Sequence, residues 1–196
     1  MQGRVTRSRV KKKFTRHTYS KALPYLLKDF EDRCAYSWMH RSEIDEMEVD
    51  HFNPHLKAKY IQMYSNLMPS LGSCNRTKGS TWPSPADRAV GLRFIDPTKE
   101  FDYGCQIFEK PDTHELVGTT PAAKYHIRVL GLNSEYLVQR RKNRARLREY
   151  VSHMPKADTS WTNPDTGELH QGSQVLKELL DRMIPFIPPP PSPSHP

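Results

Sequence analysis

Cysteine is scarce in this chain, and no apolar run is long. Only Cys34, Cys74 and Cys105 occur among 196 residues. An odd number, with no secretory leader in view, argues against a disulfide framework. No stretch has the apolar length that a bilayer-spanning helix needs, and no apolar segment of signal-peptide type follows the basic N-terminus. The expectation is a soluble, cytoplasmic protein without a membrane attachment. Apolar residues are also few, at 36% of the chain, and the mean hydropathy is −0.78. The core must therefore be small for the length, a compact centre carrying polar arms.

Acidic residues are outnumbered as well. Twenty-two Asp and Glu face thirty Lys and Arg, which leaves a net charge of +8. A surplus of this size favours polyanionic partners by electrostatic steering, without fixing either the partner or the fold. Part of it lies in residues 1–13, where Arg4, Arg7, Arg9, Lys11, Lys12 and Lys13 occur with hardly a large apolar group. This pattern suits a solvated or nucleic-acid-touching arm.

What is present falls into a readable order. Residues 1–19 read as the basic flexible arm, and Ser20 opens a helix expected to run through Arg33, with Leu23, Leu26, Leu27 and Phe30 on one stripe. The chemistry-bearing residues crowd between Cys34 and Trp82. Beyond Pro83 and Pro85, Leu92 to Ile95 reads as a strand, and Cys105 to Thr119 as a hairpin turning at Pro111-Asp112-Thr113. Thr120-Pro121 starts a short helix that Gly131 ends. A longer helix capped by Asn133 or Ser134 runs to about Val151 and carries Arg140, Arg141, Lys142, Arg144, Arg146 and Arg148; it is expected to be solvated or to lie on something anionic. Asn163 to Gly167 is a turn between short strands, a last amphipathic helix follows Ser173, and from Pro185 the chain should be an extended tail without a core.

Within the crowded stretch, Glu48-Val49-Asp50-His51-Phe52-Asn53-Pro54, then Asn66-Leu67, then Cys74-Asn75-Arg76-Thr77-Lys78-Gly79 suggest strand, returning strand and short helix around a polar pocket. Asp50 and His51 are adjacent, so on a regular strand they point to opposite faces. They can serve one site only if the strand ends or kinks there, and Pro54 is placed to end it. Phosphodiester hydrolysis needs an activated water, a counter-charge for the phosphorus centre and an oriented base. A neutral imidazole such as His51 suits the first. A hard divalent cation on the Asp50 carboxylate and the Asn75 amide oxygen would supply the second. Asn66 is open to the third role.

Asp50-His51, Asn66 and Asn75 with Lys78, at intervals of fifteen residues from His51 to Asn66 and nine from Asn66 to Asn75, resemble the signature of the HNH (ββα-metal) endonuclease superfamily. Farther on, Phe94-Ile95-Asp96-Pro97 and Val129-Leu130-Gly131-Leu132-Asn133, with Arg140 and Arg141, extend the similarity over about residues 23–145 to a bacterial anti-phage HNH subfamily, which includes the Septu nuclease subunit and retron-linked relatives. The resemblance implies His51 as general base, Asp50 and Asn75 as ligands of one Mg²⁺ or Mn²⁺, Asn66 as a brace of the loop, and DNA as substrate. Arg76, Lys78, Arg140, Arg141 and Arg144 are the expected nucleic-acid contacts. One departure concerns zinc. Relatives often carry two Cys-x-x-Cys pairs; here Cys34 is followed by Ser37, and Cys74 is preceded by Leu71. Two thiolates make a poor tetrahedral site, and a structural zinc on Cys34 and Cys74 is not expected.

The expected architecture is α+β: a ββα-metal core with its N-terminal helix at 20–83, an extension of short strands and basic helices at 84–184, and a proline-rich disordered tail at 185–196. Three functional readings stay open. They are an autonomous nicking endonuclease, a nuclease subunit inert until an ATPase or another defence-system subunit engages it, and a silent nucleic-acid-binding module. The oligomeric state is left open.

Overall fold

The alternation of charged and apolar residues around Val49 folds as strand β1 (Met47–His51), preceded by helix α1 (Leu23–Asp29). These elements belong to a computed structural model that describes residues 5–44, 46–153, 160–162, 169–171, 187, 188 and 190. After a loop holding the short helix α2 (Ala58–Ile61), strand β2 (Leu67–Leu71) returns antiparallel to β1, with Met47 opposite Leu71 and His51 opposite Leu67. Helix α3 (Gly72–Lys78) follows at once and packs on both strands. All five residues of β2 are buried. Pro69 is tolerated in it because a two-stranded sheet has only edge strands, and the Pro69 carbonyl accepts from Ala35 N–H at 2.8 Å.

Helix α4 (Pro85–Ala89) is followed by a hairpin of β3 (Ile107–Glu109) and β4 (Leu116–Gly118), then α5 (Pro121–Val129) and α6 (Glu135–His153). The Thr120 hydroxyl caps α5 by accepting Ala123 N–H at 3.1 Å. Gly131 stands at φ +61°, the left-handed stop that the sequence called for. Gly118 is needed for a different reason: a Cβ there would lie 2.6 Å from Lys124 N, so β4 could not approach α5. The chain divides into two units, residues 1–138 with 187–196, and residues 139–186. The second contains most of α6 and a hairpin of β5 (Ser160–Thr162) and β6 (Leu169–Gln171), with Ser160 opposite Gln171. The mixed α+β class stands, with two-stranded antiparallel sheets throughout the described residues. The turn at 163–167 and the helix expected after Ser173 lie outside them.

Four expectations need correction. Helix α1 stops at Asp29 instead of Arg33, because Glu31 and Asp32 take φ values of +52° and +57° and turn the chain out of the helix. Residues 92–95 form no strand; the Ile95 N–H donates to the ring Nδ1 of His126 at 3.0 Å in place of a neighbouring strand. The N-terminal segment is not a detached arm. The Arg7 guanidinium donates to the carbonyls of Tyr64 and Leu67 at 2.9 and 2.8 Å and lies over the rings of Phe30 and Tyr64, and Phe14 is buried. The start of the proline-rich tail is likewise held: Ile187 is buried, and the Pro188 carbonyl accepts Glu109 N–H at 3.1 Å. In each of the last two cases a backbone hydrogen-bonding group of the body finds its partner in a segment whose composition promised none.

His126 links this core to pH. Its ring is fully buried among Tyr36, Phe94 and the Ile95 backbone, and burial brings its pKa down to about 3. Below pH 6.5 the unfolded chain protonates this residue while the folded chain does not. Stability therefore falls as pH drops from 6.5 to about 3, by about 1.4 kcal/mol per pH unit from this one group. Urea unfolding across that range should lose this component in His126→Asn, which keeps an acceptor for Ile95 N–H but does not titrate. An unchanged pH slope in the variant would show that His126 does not set it.

Candidate functional site

Strand alternation decides which side chains meet. Val49 and His51 face α1 and the short 3₁₀ turn Tyr19–Ala22, and Val49 packs in a cluster with Phe14, Leu26 and Leu67. Glu48 and Asp50 face α3 on the other side, where Asn75 and Lys78 stand one helical turn apart. Two rungs result. Asn75 Nδ2 donates to Glu48 Oε2 at 2.5 Å, and Lys78 Nζ lies 3.1 and 2.9 Å from the two oxygens of Asp50. Lys78 also donates to the His51 carbonyl at 2.7 Å, which fixes the end of β1.

Asp50 is almost closed to solvent, at 5% exposure, and Tyr36 donates its hydroxyl to Oδ2. Burial pushes the Asp50 carboxyl above its ordinary range, opposed by Lys78, Tyr36 and the charge of His51. Burial and the Asp50 carboxylate together push the Tyr36 phenol well up. Tyr36 is itself held by Tyr103, whose hydroxyl donates to the Tyr36 carbonyl at 2.7 Å. Lys78 is fully buried and Arg76 is not: the Arg76 side chain is 71% exposed, with a guanidinium nitrogen 3.6 Å from Glu48. The expectation that Lys78 meets phosphates at a pocket rim is therefore corrected, since its ammonium is consumed by Asp50 and a backbone carbonyl. Arg76 keeps a solvent-facing position.

His51 ends β1 on the opposite face. Its ring packs against Tyr19 with centroids 4.7 Å apart and planes tilted by 46°, and Nε2 lies 3.0 Å from Gln62 Oε1. An amide oxygen only accepts, so this contact is a hydrogen bond when Nε2 carries a proton, and in the neutral ring of that tautomer Nδ1 is the acceptor. The strand pairs regularly through His51 opposite Leu67, so it does not kink between Asp50 and His51. The two side chains diverge, although the imidazole charge still reaches the Asp50 carboxyl.

Asn66 holds the loop between the strands. Its Oδ1 accepts Asn53 N–H at 2.9 Å, and its Nδ2 donates to the carbonyls of Asn53 and Ile61 at 3.1 and 3.0 Å. The Asn66 carbonyl also accepts Phe52 N–H at 2.8 Å. This residue positions backbone and is buried away from any substrate. His55 is drawn into the same region by a 2.9 Å contact with the Ser80 carbonyl.

The donor set suits a hard divalent cation. Carboxylate and amide oxygens are the ligands such ions take, and Asn75 Oδ1 makes no hydrogen bond among the described residues. A carboxylate offers about four lone-pair positions, of which Tyr36 and Lys78 occupy three at Asp50. Among the described residues no cluster of three His, Cys, Asp or Glu side chains converges.

Cys34 and Cys74 lie together in the core, with Ser37 and Leu71 beside them. Cys34 Sγ accepts the N–H groups of Tyr36, Ser37 and Leu71 at 3.4, 3.4 and 3.2 Å. Burial alone would raise the Cys34 thiol, but the hydrogen bond from Cys74, with those of Leu71 and Ser37, brings it down to about 6; the same bond pushes Cys74 up. Farther along, Arg141 and Arg144 are buried, so α6 does not offer all its arginines to solvent as expected; Arg140 is half-buried. Sequence reasoning missed Gln62 and Tyr36. Neither carries a spacing signal, because Gln62 belongs to the loop and Tyr36 reads as an ordinary core aromatic.

Removing Lys78 leaves Asp50 as an uncompensated buried charge, which typically costs about 3–5 kcal/mol. Urea unfolding of Lys78→Met should show a loss of that size at pH 7, while Arg76→Ala, at an exposed ion pair, should change stability by less than about 1 kcal/mol. Equal effects from the two variants would remove Lys78 from its central place. Comparison with protein-family models, curated proteins and solved structures finds no match to this chain.

Proposed function

We propose that the chain is an HNH-type endonuclease whose ββα-metal core is formed by β1, β2 and α3, hydrolysing phosphodiester bonds of DNA with one Mg²⁺ or Mn²⁺ in bacterial anti-phage defence. The observation that carries the reading is the placement of His51. Its Nε2 lies 3.0 Å from Gln62 Oε1, its Nδ1 makes no hydrogen bond among the described residues, and it ends the strand that also carries Asp50. That is the arrangement of a general base able to take a proton from water. Gln62 fixes the tautomer and Tyr19 holds the ring plane. Asp50 and Asn75 would hold the cation, which when bound would supply charge stabilisation for the phosphorus centre. Glu48 accepts from Asn75 Nδ2 and so turns the amide oxygen outward. Arg76 is placed to meet a backbone phosphate.

A second reading is favoured by one specific observation. Lys78 and Tyr36 occupy most of the Asp50 carboxylate, so a cation competes with the protein's own ammonium. A nuclease subunit held inert in this way would cut only after a partner, such as the ATPase of a defence system, weakens the Lys78–Asp50 pair.

Cleavage of supercoiled plasmid with Mg²⁺ or Mn²⁺ tests both readings. Wild-type protein should nick, His51→Ala should lose at least about a hundredfold in rate, the usual contribution of a general base, and Gln62→Leu should lose less while altering the pH profile. Nicking that survives in His51→Ala would sink the assignment of the base. Absence of nicking in wild type, with plasmid bound, would leave the partner-gated subunit or the silent binding module.

A further inference from the structure

Among the described residues, exposed positive charge gathers in the N-terminal segment and on α1 beside it. Residues 8–13 run between two fixed points. At one end Arg7 is tied to the carbonyls of Tyr64 and Leu67, and Ser8 is tied through N–H and Oγ to Asp29 at 2.9 and 2.5 Å. At the other, Phe14 is buried with its ring 6.4 Å from Tyr25 and 6.2 Å from Tyr64. Between them the segment lies along α1 and encloses a concavity of about 340 Å³, lined by Arg9, Lys11, Lys12, Lys28 and the ring of Tyr25. All four cations are exposed, and none is paired with a carboxylate among the described residues. Asp29, at the end of α1, is already engaged by Ser8 and by the Tyr64 hydroxyl at 2.7 Å.

We infer that this concavity is a binding track for the sugar–phosphate backbone of a nucleic acid strand, lying outside the candidate site. The inference rests on the reading of the substrate as DNA. Three cations of the segment, Arg9, Lys11 and Lys12, and Lys28 of α1 line one concavity, and each phosphate that such a group neutralises releases condensed counterions. Tyr25, 41% exposed and held edge-on by Phe14, offers a face on which a base can stack. The anchoring at Arg7 and Phe14 fixes the segment before any ligand arrives, so binding does not pay the ordering entropy of a loose arm. Five residues beyond Phe14, Tyr19 packs against the His51 ring. The sequence placed nucleic-acid contacts on α6, but Arg141 and Arg144 are buried there, whereas the lining cations of the N-terminal track are open.

The test is fluorescence anisotropy of a labelled DNA oligonucleotide of about 30 nucleotides, single- and double-stranded, with the full chain in EDTA so that no cleavage occurs. One variant combines Lys11→Gln, Lys12→Gln and Lys28→Gln. A control removes the same charge elsewhere through Lys110→Gln, Lys124→Gln and Arg128→Gln. Thermal melts verify that both fold. The track variant should raise Kd at least tenfold and reduce the slope of log K against log salt by about 2, since each phosphate contact contributes about 0.7–0.9; the control should change Kd less than threefold. Equal weakening by both variants, or no binding by wild type at low salt, overturns the track. Binding that follows this pattern in a protein that does not cleave by itself overturns the autonomous nuclease and keeps the track, whereas cleavage by wild type with no effect of the track variant does the reverse.

Discussion

An ammonium and a carboxylate, both shut away from water, join the first strand of the hairpin to the helix that follows it. Withdrawing Lys78 and Asp50 from solvent is unfavourable by several kcal/mol for each ion, and the pair is tolerable only because further hydrogen bonds support both partners. Tyr36 takes one oxygen of Asp50, and the His51 carbonyl takes another proton of Lys78. The tyrosine in turn is held by Tyr103 from the later part of the chain. This small network couples β1, α3 and the turn at Tyr36 more specifically than apolar packing would, because each group has one correct partner and a large penalty without it. The Asn75–Glu48 contact, one helical turn away, depends on the same register.

The hairpin and its helix were legible because their signals are local. Val49 lies within a strand that Pro54 follows, Leu67 and Met68 return it, and Gly72 to Lys78 have the length of about two helical turns before Gly79. The α5 cap at Thr120 and its stop at Gly131 were legible for the same reason. What could not be read was the destination of each charge. Lys78 and Arg76 are neighbours in sequence and equally basic, yet one is fully buried and the other is mostly exposed. Helical geometry separates them by about 200° around the axis, but only the position of Asp50 says which side is the interior. Residues 92–95 failed as a strand for a comparable reason: their hydrogen-bond partner is the ring of His126, 31 residues away, and no periodicity reports a side chain that substitutes for a strand.

The N-terminal segment shows how composition misleads when one residue differs from its neighbours in role. Six basic residues within thirteen suggest an unstructured arm. Arg7 instead satisfies carbonyls at the start of β2 and lies on two aromatic rings, which a planar fork of donors can do and an ammonium cannot. Once Arg7 is anchored, the basic residues beyond it are displayed along α1. A similar division holds on α6, where some arginines are buried and others exposed. A net charge of +8 is therefore a poor guide to the field that a ligand meets; the field depends on which cations the fold has already consumed.

The divergence of Asp50 and His51 limits how the candidate site can work. Because β1 pairs regularly through His51, bringing both side chains to one phosphate by twisting the strand would sacrifice its pairing with β2 and the bond from Lys78 to the His51 carbonyl. Exchange at the carboxylate disturbs less. If a cation approached Asp50 from the Asn75 side, Lys78 would lose its charge partner and keep the His51 carbonyl, so α3 would stay tied to the end of β1. On this account the energy that holds the candidate site together is also the energy that a cation, or a partner acting on α3, must overcome before the imidazole and the carboxylate can act on one phosphodiester.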